Sequence, residues 1–244
     1  MKQTSFVRSY ADMAVCLFVA LILPACQTKE QGMKPAAPVP AGATDSPLKQ
    51  IGPGLFEIGS VKFDKNAKAV SFPAAVNQTA GVIEYFLVTA EGKTHESLLR
   101  TAVRPHQIQL ALLLIGARGT TNSFPENTAM PLPGDPVSVE VRWKSKGTQT
   151  TRRAEELIFN TKTQSVMSRG HWVYNGSMVV DGTFVAEEQG SIISVIEDPY
   201  ALVNNPRPGR ENDEIWEVLS TRVPPQETLV KVTIHLEGGR VGGD

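Results

Sequence analysis

Cysteine is scarce: the 244-residue chain has two, Cys16 and Cys26, both near its start. Residues 27–244 therefore have no thiol for a disulfide, for an iron–sulfur cluster or for nucleophilic attack. Long hydrophobic runs are missing too. The most apolar stretch near the N-terminus, residues 13–23, has 11 residues, whereas a helix needs about 20 to cross a bilayer. Neither sign of charge dominates, with 24 basic and 25 acidic residues, so nothing suggests nucleic acid as a partner. No GxSxG or HExxH spacing occurs, and no internal repeat.

What is present begins at the N-terminus. Lys2 and Arg8 precede the apolar run, which ends at Leu23-Pro24-Ala25-Cys26. The arrangement reads as a signal-peptide core followed by a bacterial lipobox, whose cysteine is diacylated and becomes residue one after cleavage. The plainer reading is an ordinary secretory signal with an incidental cysteine. Gln27 is not the aspartate that retains such proteins at the inner membrane, which points to the outer membrane, facing the periplasm. Loss of Lys2, Arg8 and Asp12 with the leader leaves 22 basic and 24 acidic residues, a net of −2. The chain then divides into a lipoprotein signal peptide (1–25), a Pro/Ala-rich flexible tether (26–53) of semi-stiff character, a β-rich domain (54–237) and a disordered tail (238–244).

The domain reads as mainly β, of the α+β kind, with one buried helix and one short helical turn. Short β-forming pieces at 55–58, 61–63 and 68–72 are separated by turn residues. Residues 82–88 are apolar on both faces apart from Glu84, as in a strand buried on both sides. Glu91-Gly92 predicts a tight turn into a second strand, 93–99. In that hairpin Glu84, His95 and Ser97 share one face and Glu96 points to the other. An acid, an imidazole and a hydroxyl on one surface are candidates for catalysis, with Ser97 activated by His95, or for a metal held by His95 and a carboxylate. The competing reading has His95 and Ser97 satisfying backbone groups and Glu84 pairing with Arg100 or Arg104.

Pro105 in a first turn and Gly116 at an end predict a helix over about 105–115, apolar all round from 110 to 115 and hence buried, with His106 exposed in its first turn. Residues 117–136 are irregular and proline-rich, either a lid or a surface excursion. Val137, Val139, Val141 and Trp143 alternate with polar residues as a half-buried strand leading to another at 148–153, and residues 152–156 form a mixed charged run of the kind that usually faces solvent. Asp181-Gly182 marks a type I′ hairpin. A strand over 191–197 precedes Asp198-Pro199, which predicts a capped helical turn at about 199–203. In Asn204-Asn205-Pro206-Arg207-Pro208-Gly209-Arg210 the asparagines suit a left-handed helix exit. Alternatively Asp198, Asn204, Asn205 and Arg207 offer polar groups to an anionic or carbonyl-bearing ligand from a stiff loop. Residues 216–219 and 228–236 close the domain as strands.

Six blocks carry a family resemblance. They are Gly81-Val82-Ile83-Glu84-Tyr85, Gly92-Lys93-Thr94-His95-Glu96-Ser97-Leu98, Ala111-Leu112-Leu113-Leu114-Ile115-Gly116, Trp172-Val173-Tyr174-Asn175-Gly176-Ser177, Asp198-Pro199-Tyr200-Ala201-Leu202 and Asn204-Asn205-Pro206-Arg207. In this order, over about 68–236, the chain resembles the YdjY-domain proteins of bacterial envelopes. The ferredoxin-like label of some relatives would require cluster-binding cysteines, and none follows Cys26. The resemblance implies no specific reaction. The expectation is a membrane-anchored envelope lipoprotein, palmitate-bearing at Cys26, whose β-rich domain binds a small ligand or another envelope protein. The alternative is an envelope hydrolase or metal-dependent enzyme using His95 with Glu84 or Glu96 and Ser97.

Overall fold

Alternating valines dictate the longest strands. In the computed structural model, which describes residues 47–145 and 147–238, Val137, Val139, Val141 and Trp143 all point into the core from an 11-residue strand. In chain order the strands are β1 (Lys49–Gly52), β2 (Leu55–Ile58), β3 (Val61–Asp64), β4 (Ala69–Val76), β5 (Tyr85–Thr89), β6 (Ser97–Thr101), β7 (Asp135–Ser145), β8 (Thr148–Arg153), β9 (Ile158–Asn160), β10 (Ser165–Val166), β11 (Trp172–Tyr174), β12 (Val179–Val180), β13 (Thr183–Phe184), β14 (Ser191–Ser194), β15 (Val203–Asn204), β16 (Trp216–Val218) and β17 (Leu229–Leu236). Helices α1 (Pro105–Leu114) and α2 (Val185–Gln189) complete the set. The leader with Cys26, tether residues 27–46 and tail residues 239–244 lie outside the described residues. β1 falls inside the stretch read as tether and pairs with β2, so the sheet includes Lys49–Gly52.

Eight strands close into a barrel in the order β4-β17-β7-β11-β15-β14-β5-β6, with β6 returning to β4. Closure leaves no open edge within the ring. β4 has room for two neighbours on one side: its first half pairs with β3, its last two residues with β6. β1-β2-β3 extends the sheet outward from there, and β8 borders β7. Two of the ring's pairings are parallel, β5 with β6 and β14 with β15.

The parallel pairing of β5 and β6 overturns the expected hairpin. Tyr85 lies beside Ser97 and Leu87 beside Leu99, although parallel neighbours usually need a crossover of a dozen or more residues. Seven suffice here because both strands are five residues long and the chain folds straight back through a 3-10 turn, Thr94–Glu96. Distant side chains hold that turn. Asn77 Nδ2 donates to the carbonyls of Thr94 (2.6 Å) and Ser97 (2.7 Å), and Gln78 Nε2 donates to His95 O (2.5 Å). Gly92 sits where the loop crosses the end of α2, and a Cβ there would make a tight 3.1 Å contact with the Gln189 carbonyl.

Other expectations change in detail. β5 is buried throughout as predicted, but it starts at Tyr85 and leaves Val82 exposed. Helix α1 lies where the sequence puts it and packs on β3, β4 and α2. It is not buried all round: Ile108, Ala111 and Leu112 face the core, whereas Leu110 and Leu113 are exposed. His106 is part-buried, with its N–H and ring Nδ1 3.0 and 3.1 Å from Glu187 Oε2. The helical turn expected at 199–203 is a non-helical turn into β15, and the second helix is α2 instead. Asn204 and Asn205 adopt no left-handed conformation; Asn204 is a strand residue. The Asp181-Gly182 hairpin forms as expected, with φ of 49° and 80° at the two turn residues, but its strands are two residues each.

Candidate functional site

The first candidate set lies at the entrance of β5 and β6. Parallel register makes Glu84 and Glu96 neighbours, each one step before its strand, and Glu84 N donates to Glu96 O at 2.9 Å. The Glu96 carboxylate is 3.4 Å from His95 Nε2, so the expectation that Glu96 faces away from His95 is corrected. The reversal follows from the 3-10 turn, which does not alternate side chains as a strand would. Burial, and then the charge of Glu96, push the Glu84 carboxyl above its ordinary range, with Lys93 and His95 acting the other way. Ser97 stands apart. It is fully buried, and its Oγ donates to Leu99 O at 2.7 Å. No hydrogen bond joins it to His95, whose side chain is 79% exposed. The site therefore offers an exposed imidazole beside a half-buried carboxylate, without an adjacent nucleophile. Among the described residues no three His, Cys, Asp or Glu side chains form a metal-ligand set.

The second candidate set is buried almost completely, and its polar groups stitch the short strands together. Asn204 Oδ1 accepts from Asp198 N (2.8 Å), while its Nδ2 donates to Asp198 O (2.8 Å) and Asn175 Oδ1 (3.0 Å). Asn205 Nδ2 donates to Val195 O (2.8 Å), and its Oδ1 receives Arg207 N and Nη1, both at 3.1 Å. Arg207 continues to Ser168 O through Nε (2.6 Å) and to Glu155 Oε1 through Nη2 (3.1 Å), with its Cζ 5.4 Å from the centre of the Trp172 ring. Where backbone pairing is only two or three residues long, buried side-chain amides complete it. A chain of contacts links the two sets. Lys93 Nζ donates to Tyr85 Oη (2.6 Å), which donates to Asp198 Oδ2 (3.0 Å). Burial, then the Asp198 charge, push the Tyr85 phenol well above its ordinary range.

Glu155 is a residue that sequence reasoning missed. The charged run 152–156 reads as a solvated face, yet Glu155 is 1% exposed and binds Arg153 Nη2 (3.0 Å), Arg207 Nη2 (3.1 Å) and Gly170 N (3.2 Å). Burial drives its carboxyl pKa upward, but the hydrogen bonds and charges of Arg153 and Arg207 outweigh that and hold it below the usual carboxylate range. Only its distant partners reveal this role, and local composition does not encode them.

Beside this network lies an open cleft of about 610 Å³. Its walls are residues 128–132 of the irregular connection, residues 168–171 before β11, and residues 206–211. Two buried arginines tie the walls together. Arg207 reaches the Ser168 carbonyl; Arg210 donates to Met130 O (2.9 Å) and Pro206 O (3.3 Å) and pairs with Glu197 Oε2 (2.6 Å). Of the expected ligand-binding residues, Arg207 alone lines this cleft. Arg169, His171 and Arg210 were missed, although Arg169-Gly170-His171 stands directly before the apolar strand Trp172–Tyr174. The irregular connection is pinned elsewhere too. At Gly134, φ is 139°, and a Cβ would lie 2.2 Å from the Tyr174 carbonyl.

A closed mixed β-barrel, sewn along its short strands by buried asparagines and flanked by an open cleft, defines the class of domain. The chain belongs to the YdjY domain family, whose model matches residues 61–235, from β3 to β17 and so across all eight barrel strands. Searches of curated proteins and of solved structures find no match.

Proposed function

We propose that this protein is a lipid-anchored component of the bacterial envelope, held through diacylated Cys26 at the outer membrane and facing the periplasm. In this reading its YdjY domain binds a small ligand or another envelope component in the cleft. The observation that carries the binding role is that the cleft is preformed: Arg207 and Arg210 fix its walls through main-chain carbonyls, and pockets of this size and mixed polarity suit small ligands. Support for the anchor comes from the Leu23-Pro24-Ala25-Cys26 sequence after an apolar run too short to span.

Both halves have a direct test. Mass spectrometry of the full chain from a Gram-negative host should find a cleaved N-terminus with a diacylated Cys26, and Cys26→Ser should remain unprocessed. Unchanged mass and fractionation in that variant would remove the anchor. Hydrolysis of p-nitrophenyl acetate should stay at the buffer rate; a faster rate that disappears in His95→Ala would replace the binding role with catalysis.

A further inference from the structure

The charges around the cleft select among possible occupants. Arg207 and Arg210 are each paired, with Glu155 and with Glu197, and their remaining bonds hold the walls; Arg153, which shares Glu155, also lies 4.0 Å from Glu237. Arg169 and His171 differ: both line the cleft, and neither has a hydrogen bond or ion pair within the described residues. Glu211 is the one carboxylate among the lining residues, and it is exposed. The uncommitted charge is thus one guanidinium beside an imidazole, opposed at the rim by one carboxylate. That suits a single carboxylate: the guanidinium holds both oxygens through two parallel hydrogen bonds, and one uncommitted cation balances one negative charge. The rest of the lining is largely apolar, with Met130, Pro131, Pro206 and Pro208 placed to cover a hydrocarbon or aromatic body.

We infer that the cleft takes a small amphipathic carboxylate, with its charged end on Arg169 and His171 and its apolar body along the methionine and prolines. This deepens the binding role proposed above and rests on it. Arg207 and Arg210 serve as preorganising supports, so ligand binding does not have to order the walls.

The test uses the detergent-solubilised full chain and two probes, N-dansylglycine and its uncharged carboxamide, followed by dansyl fluorescence. The carboxylate should bind saturably and the carboxamide about tenfold more weakly, the size of one lost charge-assisted contact. Arg169→Gln should weaken the carboxylate by about tenfold without changing the thermal midpoint, since the side chain has no partner to lose. Glu211→Gln should bind it as tightly as the parent or more tightly, and inorganic phosphate should not displace it. Equal binding of the two probes, an unaffected Arg169→Gln variant, weaker binding by Glu211→Gln, or displacement by phosphate would each overturn the carboxylate assignment. Equal binding of both probes leaves the cleft as a binding site, whereas the absence of saturable binding of either removes the cleft's role as well.

Discussion

The two sides of the barrel solve strand pairing differently. On one side β4, β17 and β7 run 8, 8 and 11 residues, with seven and six residue pairs in the two ladders of β17. Their inward side chains include Val70, Phe72, Val137, Val139, Val141, Val232 and Ile234, all buried and apolar. On the other side β11, β15 and β14 have three, two and four residues, and Asn175, Asn204, Asn205 and Asp198 supply the missing bonds. The long side is held by many small, interchangeable contributions, and the short side by a few polar residues that have no substitute. Sequence tolerance should therefore vary around one closed ring.

Replacement of Glu155 should have the largest effect. Glu155→Leu leaves Arg207 buried without its carboxylate and strips Arg153 of its nearest carboxylate, a loss of about 3–5 kcal/mol, as for other broken buried pairs. Urea unfolding would measure it. The same residue sets the acid limb of stability. Its folded pKa lies below the ordinary value of 4.5, so its contribution is complete above about pH 4.5 and is lost as pH falls through the folded value. Glu187, also held below its ordinary range because Arg104 and His106 outweigh burial, adds in the same direction. Glu155→Gln should therefore flatten the decline in unfolding free energy below about pH 4.5. A parent-like slope in that variant would place the acid sensitivity elsewhere.

Asn204→Leu should follow at about 3 kcal/mol, because it strands the Asp198 N–H and carbonyl and the Asn175 side chain in a dry interior. On the long side Ile234→Val, which removes one buried methylene-sized group, should cost about 1 kcal/mol. If the asparagine substitution proved no worse than this one, the contrast between the two sides would fail. The smallest change belongs at the surface, where Arg100 pairs with Glu227 and both side chains are substantially exposed. Arg100→Gln should alter stability by less than about 0.5 kcal/mol at moderate salt.

The same contrast explains which parts of the fold were legible. β7 is legible from alternation, and the start of α1 from Pro105, because those signals are local. The β5–β6 pairing was misread because Glu91-Gly92 also fits a tight turn, and the bonds from Asn77 and Gln78 that decide against a hairpin come from more than a dozen residues away. The candidate site divided similarly. Asp198, Asn204, Asn205 and Arg207 were singled out by residue type, and they do form one polar region. Their orientation inward, and the exposure of Arg169 beside them, depend on which strands meet.

Composition and local period are enough to make the domain mainly β, to leave residues 27–244 without a thiol, and to turn alternate side chains of β7 to the core. These depend on covalent composition and on a two-residue period, neither of which needs a distant partner. Tertiary structure alone decided closure of the ring, the two parallel pairings, the burial of Glu155 and the assembly of a cleft from three separated segments. Each of those depends on desolvation and hydrogen bonding between residues ten or more positions apart, and those partners exist only once the barrel has formed.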